Sequence, residues 1–204
     1  MFVVIFEVQP SAEGYQTYLD TAAALRPRLE AMDGFVSIER FRCLTRDGWI
    51  LSLSLWRDEA ALTAWRVVPE HHHAQTRGRA GIFSDYHLRV GQIVSDDDFI
   101  EARRTPERRT AYNDPTARPP RFAGLIRSPD PHAAGEVRYE SIVSPGNYAD
   151  LVAHDAETTA WRWRDSATAI PAPGKRVLLI EIERDYGMFD RREAPQYYPD
   201  VRRT

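Results

Sequence analysis

The chain has 204 residues, 43% apolar and 28% charged, enough to build a core in one domain or in two of about 100 residues each. A net charge of −3 gives no electrostatic pull toward nucleic acid or an anionic membrane, and no apolar run reaches the ~20 residues that span a bilayer. The lone Cys43 excludes an intrachain disulfide and fits a reducing, cytoplasmic setting; within a strand pattern it reads as a buried apolar filler.

Met1 to Val8 is rich in β-branched and aromatic residues and stops at Pro10. It reads as a strand rather than a signal peptide, having no basic start and no small-residue cleavage site. Tyr15, Tyr18, Leu19, Ala22, Leu25, Leu29 and Met32 recur at three- and four-residue steps, the stripe of a helix that ends near Gly34. Pro27 is expected to bend or break it. "FVSIERFRCL" alternates as a strand, and "RDG" at 46–48 supplies a hairpin turn because Asp-Gly tolerates positive φ. "WILSLSLW" follows with leucines on one face and Ser52, Ser54 and Trp56 on the other, so the second face is expected to line a cavity. Asp58 to about Gln75 reads as helical, with Pro69 as a kink or restart, and "YHLRVGQIV" closes the unit as a strand. The order over 1–97 is β-α-β-β-α-β, the ferredoxin-like pattern.

Residues 98–120 are charged and proline-rich and read as a solvated connector. In the remainder, 121–204, "RFAGLIRS" and "EVRYESIVS" are expected to pair as strands. "PGNYADLVAHDAETTAWRW" is expected to be a helix and "KRVLLIEIERDYG" a strand. "TAW" at 63–65 recurs at 159–161, and "YHLRVGQIVSDD" answers to "GKRVLLIEIERD". We read a degenerate duplication: an α+β tandem of ferredoxin-like units, the second reduced to β-β-α-β and followed by a C-terminal tail. A unit without its first strand leaves an open sheet edge, so a homodimer is expected.

The stretch "LSLSLWRDEAALTAWRVVPEHHHAQTRGRAGIFSDYHLRVGQIV" resembles the antibiotic biosynthesis monooxygenase family of dimeric α+β barrels. The likeness is carried by Trp56, Asp58, Glu59, Trp65, Glu70, His71, Ala74, Gln75, Gly78, Arg79, Asp85, Tyr86, Arg89 and Val90. "RDYGMFDRREAPQYYP" at 184–199 is similar to the tail that follows the last strand in single-domain relatives. The resemblance implies a barrel with helices outside and a cavity between sheet and helices. It further implies a monooxygenase that needs neither metal nor other cofactor and acts with O2 on an aromatic or polyketide-like small molecule. Such an enzyme deprotonates an electron-rich substrate, whose carbanion then reduces O2. The site so implied has His71 as candidate base with Trp56 and Ser52 beside it, and Trp65, Arg79 and Tyr86 on the substrate. Ser52 stands where such oxygenases carry an amide, and it donates a hydrogen bond less rigidly.

Two other readings stay open. A haem-degrading relative would match Trp65, yet Gln75 occupies the position of the ligand histidine, and Phe6 and Glu7 stand where an asparagine is needed. A non-catalytic small-molecule-binding or assembly protein would keep the barrel without the chemistry. The run His71, His72, His73 is a poor metal site, because consecutive helical residues point about 100° apart and only one can face a pocket.

Overall fold

The computed structural model describes residues 1–98, 121–129 and 137–195. The first half runs β1 (Phe2–Pro10), α1 (Gly14–Glu30), β2 (Phe35–Cys43), β3 (Ile50–Trp56), α2 (Glu59–Arg66), α3 (Pro69–Arg77), a π-helical turn (Gly78–Ile82) and β4 (Phe83–Asp96). The second runs β5 (Arg121–Ser128), β6 (Val137–Ser141), β7 (Tyr148–His154), α4 (Glu157–Thr168) and β8 (Arg176–Gly187). All eight strands close into one antiparallel barrel in the order β1-β3-β2-β6-β7-β5-β8-β4. Two ferredoxin-like halves thus share a single sheet.

Alternation along the strands explains how the barrel fills. Val3, Ile5, Leu51, Leu53, Leu55, Ile93, Leu125, Leu178 and Ile180 point inward and form a continuous core. The opposite face of the first half carries Phe2, Trp56 and Val90 toward the helices, where Leu29, Ala61, Trp65 and Val68 meet them. All seven residues of β3 are buried, because one face is covered by the barrel interior and the other by helices. Glu7 also points into the barrel, paired with Arg89 and Arg46 and accepting from the Tyr139 hydroxyl. Burial works against its charge, but Arg89, Tyr139 and Arg46 outweigh it and hold the carboxyl below its usual range.

Local chemistry sets the boundaries of the cavity-bearing helices. The Asp58 carboxylate accepts from Ala61 N–H at 2.8 Å and caps α2. Pro69 occupies the first turn of α3, so the expected kink is a restart after Val68. Gly14 begins α1 against the π-helical turn, where a Cβ would stand 2.2 Å from the Ile82 carbonyl. Pro27 does not break α1, which continues through it to Glu30; it forfeits one N–H bond to the Ala23 carbonyl, and with a single turn following it any bend displaces little of the helix.

Several expectations are corrected. Tyr148–His154 is a strand rather than the start of a helix: Leu151 faces the barrel core, and the helix begins only at Glu157. β5 and β6 are not neighbours; β5 lies between β7 and β8, as β1 lies between β3 and β4. The second half is therefore β-β-β-α-β and keeps its first strand. Its link from Ser128 to Val137 is too short for a counterpart of the 17-residue α1. With that strand in place the barrel closes within one chain, and the open edge behind the homodimer expectation does not exist among the described strands. In the 46–48 turn only Gly48 takes positive φ, so Asp47 does not supply it. Cys43 at the end of β2 packs against the barrel core but is half-buried rather than fully buried. The connector assigned to 98–120 lies, from residue 99 onward, outside the described residues. No helix among them is long and apolar enough to cross a membrane.

Candidate active site

The outward face of the first-half sheet floors a cavity of about 240 Å³ roofed by α1, α2 and α3. Strand register lays its side chains out in rows. Arg40, Ser52, Phe6, Leu88 and Tyr186 stand side by side across β2, β3, β1, β4 and β8. The neighbouring row holds Ile38, Ser54, Val4, Val90 and Arg184. Tyr18, Ala22 and Leu25 of α1, Leu62 and Trp65 of α2, and His71, Ala74 and Gln75 of α3 complete the walls. Arg191 and Pro195 close it from beyond β8, so the second half of the chain contributes to a site built mainly by the first.

His71, Trp56, Ser52, Trp65, Arg79 and Tyr86, the six residues singled out from sequence, all line this one cavity. Trp56 is 1% exposed, packs edge-on against Phe35 with centroids 5.4 Å apart, and donates from Nε1 to Ser54 Oγ at 3.0 Å. Ser54 thereby fixes the indole, and Ser52, one row on, presents its hydroxyl to the cavity. His71 stacks on Trp65 with centroids 4.3 Å apart and planes 17° from parallel.

The tautomer of His71 follows from its partner. Nδ1 lies 3.0 Å from the Trp65 carbonyl oxygen, which can only accept, so the ring proton sits on Nδ1 and Nε2 carries the lone pair. The Gln75 amide nitrogen is 3.3 Å from Nε2. Burial pushes His71 down to about 4, against the opposing pull of the Trp65 carbonyl, and the ring is neutral near pH 7. His72 and His73 are exposed, as helical geometry requires. Among the described residues no group of three or more His, Cys, Asp or Glu could hold a metal ion.

At the far end Tyr86, 6% exposed, sits between two guanidiniums: its hydroxyl accepts a hydrogen bond from Arg191, and Arg79 also bonds it. Burial raises the phenol and the two arginines pull it back, leaving it above the ordinary tyrosine range and protonated. Arg184 lies 3.8 Å from Glu59, the one carboxylate lining the cavity among the described residues. Arg40 differs from these. Its Nε, like that of Arg191, is buried without a hydrogen-bond partner, but it forms no ion pair among the described residues, and the contact it makes through its guanidinium is with the Tyr18 ring, 5.9 Å away.

Sequence reasoning missed Arg40, Arg184 and Arg191. Arg40 was legible in principle, since it shares the face of Ile38 and falls opposite Ser52 once the hairpin is registered. Arg184 and Arg191 fall in the 184–199 stretch that resembles the family's tail, but no local pattern places them at this cavity; barrel closure brings them there. Of the positions on which a haem reading depends, Phe6 lies on the cavity floor and Glu7 in the barrel interior, tied to Arg89 and Arg46. In the second half the corresponding sheet face is occupied: Trp163 lies on Gly124, where a Cβ would come within 2.4 Å of the indole.

A family model described as antibiotic biosynthesis monooxygenase matches residues 1–77. The chain is 37% identical over 221 residues to a protein of Pyricularia oryzae named jasmonate monooxygenase ABM, with 98% of this chain and 99% of that one covered. Among solved structures, an anthrone oxidase-like protein is 10% identical, with 98% of this chain and 96% of that one covered and a TM-score of 0.41. An antibiotic biosynthesis monooxygenase is 17% identical, with 47% of this chain and all (100%) of that one covered and a TM-score of 0.42. By its likeness to the Pyricularia protein along nearly its whole length, the chain belongs to the antibiotic biosynthesis monooxygenase family.

Proposed function

We propose that the protein is a monooxygenase that transfers oxygen from O2 to a small molecule with a largely apolar body, bound between the first-half sheet and its helices. The observation that carries this reading is the hollow itself: an apolar cavity with Trp56 turned into it and His71 on its wall. The name of the Pyricularia relative adds jasmonate to the aromatic and polyketide-like molecules worth testing. The barrel closes within one chain, so the reading requires no second copy.

In this reading His71 Nε2 takes a proton from an acidic C–H or hydroxyl of the substrate, while Nδ1–H stays on the Trp65 carbonyl and steadies the imidazolium. A base held at about 4 is weak, so the anion must be stabilised as it forms. The Tyr86 hydroxyl and Arg79 are the donors available for that. The substrate carbanion then passes one electron to O2. Recombination gives a peroxide, and loss of water leaves a carbonyl, so that a substrate methylene and one molecule of dioxygen become a carbonyl and one molecule of water. The substrate supplies all the electrons, and the apolar walls keep bulk water from the radicals.

The weakness of His71 as a base also favours a second reading, a binding protein that keeps the cavity without turnover. Oxygen uptake with hydroxylated anthrones and with jasmonate separates the two. Uptake that yields product labelled from 18O2 and falls on His71→Ala supports the oxygenase. Uptake unchanged by that substitution removes His71 from the chemistry. Binding with no uptake from any compound establishes the second reading.

A further inference from the structure

Building on the oxygenase reading of this cavity, we propose that its substrate is a carboxylic acid and that Arg40, assisted by the Ser52 hydroxyl, holds the carboxylate. The lack of a polar partner sets Arg40 apart from its neighbours. Arg184 faces Glu59, and Arg191 and Arg79 bond Tyr86. Arg66 sits in the last turn of α2, where the helix dipole favours a cation. Arg40 has no such partner: it forms no ion pair and no side-chain hydrogen bond among the described residues, its Nε is buried and unbonded, and its guanidinium meets the Tyr18 ring. A buried donor without an acceptor costs stability, and such a group in a cavity wall is matched when a ligand supplies the acceptor.

The chemistry of that ligand follows from what surrounds Arg40. A guanidinium presents a planar fork that fits a carboxylate with two parallel hydrogen bonds. Ser52 stands directly opposite Arg40 in the ladder, about 5 Å away by Cα, close enough to donate to the same oxygens. Beyond this pair the floor and roof turn apolar, with Val4, Val90 and Leu25 lining the space, so the remainder of the molecule is hydrocarbon-like.

Binding is read by fluorescence of the cavity tryptophans, with jasmonate, decanoate and naphthoate each compared with its neutral methyl ester. The wild type is expected to bind at least one acid about tenfold to hundredfold more tightly than its ester, the range of charge-assisted hydrogen bonds. Arg40→Leu should abolish that preference by weakening acid binding far more than ester binding, and Arg40→Lys should restore part of it. Because the substitution removes an unpaired cation, unliganded Arg40→Leu should unfold in urea at a midpoint equal to or above that of wild type. Acids that bind no better than their esters, or equal losses for acid and ester in Arg40→Leu, overturn the proposal. Anthrone turnover without acid binding would also overturn it and leave the oxygenase reading intact. Arg40-dependent acid binding without oxygen uptake from any compound would do the reverse.

Discussion

Replacing His71 with Asn keeps a donor for the Trp65 carbonyl but removes the group that titrates, so the variant isolates what burial does to this histidine. The folded protein holds His71 at about 4 against an ordinary value of 6.5. A depressed value means the neutral ring stabilises the fold above 6.5, and that contribution is lost as pH falls toward 4. The whole gap is worth about 3 kcal/mol. Integrating the linkage relation places about 2 kcal/mol of it between pH 7 and pH 5. Glu7 and Asp185 also lose stability on acidification, but they are carboxylates held below their usual range, so their losses begin at lower pH. Urea unfolding of wild type and His71→Asn at the two pH values gives the difference directly. The variant should lose about 2 kcal/mol less than wild type on going from pH 7 to pH 5. Equal losses would refute the reasoning and show that His71 is solvated in the folded protein.

Two further perturbations test the scaffold that holds the site. Glu7→Gln removes the anion shared by Arg89 and Arg46 inside the barrel, and should cost about 3–5 kcal/mol by chemical denaturation, as breaking one side of a buried pair does. A loss within about 0.5 kcal/mol, the level of an ordinary surface change, would show that water reaches the network. Gly124→Ala drives a methyl into the Trp163 ring and should cost about 1–3 kcal/mol, read as a lower thermal midpoint, while Gly124→Ala with Trp163→Leu should recover part of it. No recovery in the double variant would mean the indole is not what fills that face.

The first half of the fold was legible because its elements are written locally. The period-two alternation of "WILSLSLW" placed Ser52, Ser54 and Trp56 on one face, the three- and four-residue stripe from Tyr18 to Leu29 marked α1, and Asp58 and Pro69 punctuated α2 and α3. The helical turn angle alone was sufficient to choose His71 over His72 and His73. The second half misled because "YADLVAHDAETTAW" has apolar residues at spacings that suit a helix as well as a strand. Pairing with β5 and β6, both distant in sequence, decides for the strand as far as His154.

What the sequence determined by itself was therefore each element's type and the face each side chain takes, wherever the pattern repeats within a few residues. Tertiary structure decided which strands become neighbours. By seating β5 between β7 and β8 it closed the barrel in one chain, and by setting β8 beside β4 it brought Arg184 and Arg191 to a cavity built about a hundred residues earlier. Strand order and cavity closure depend on contacts between residues far apart in the chain, and a local pattern carries no record of them.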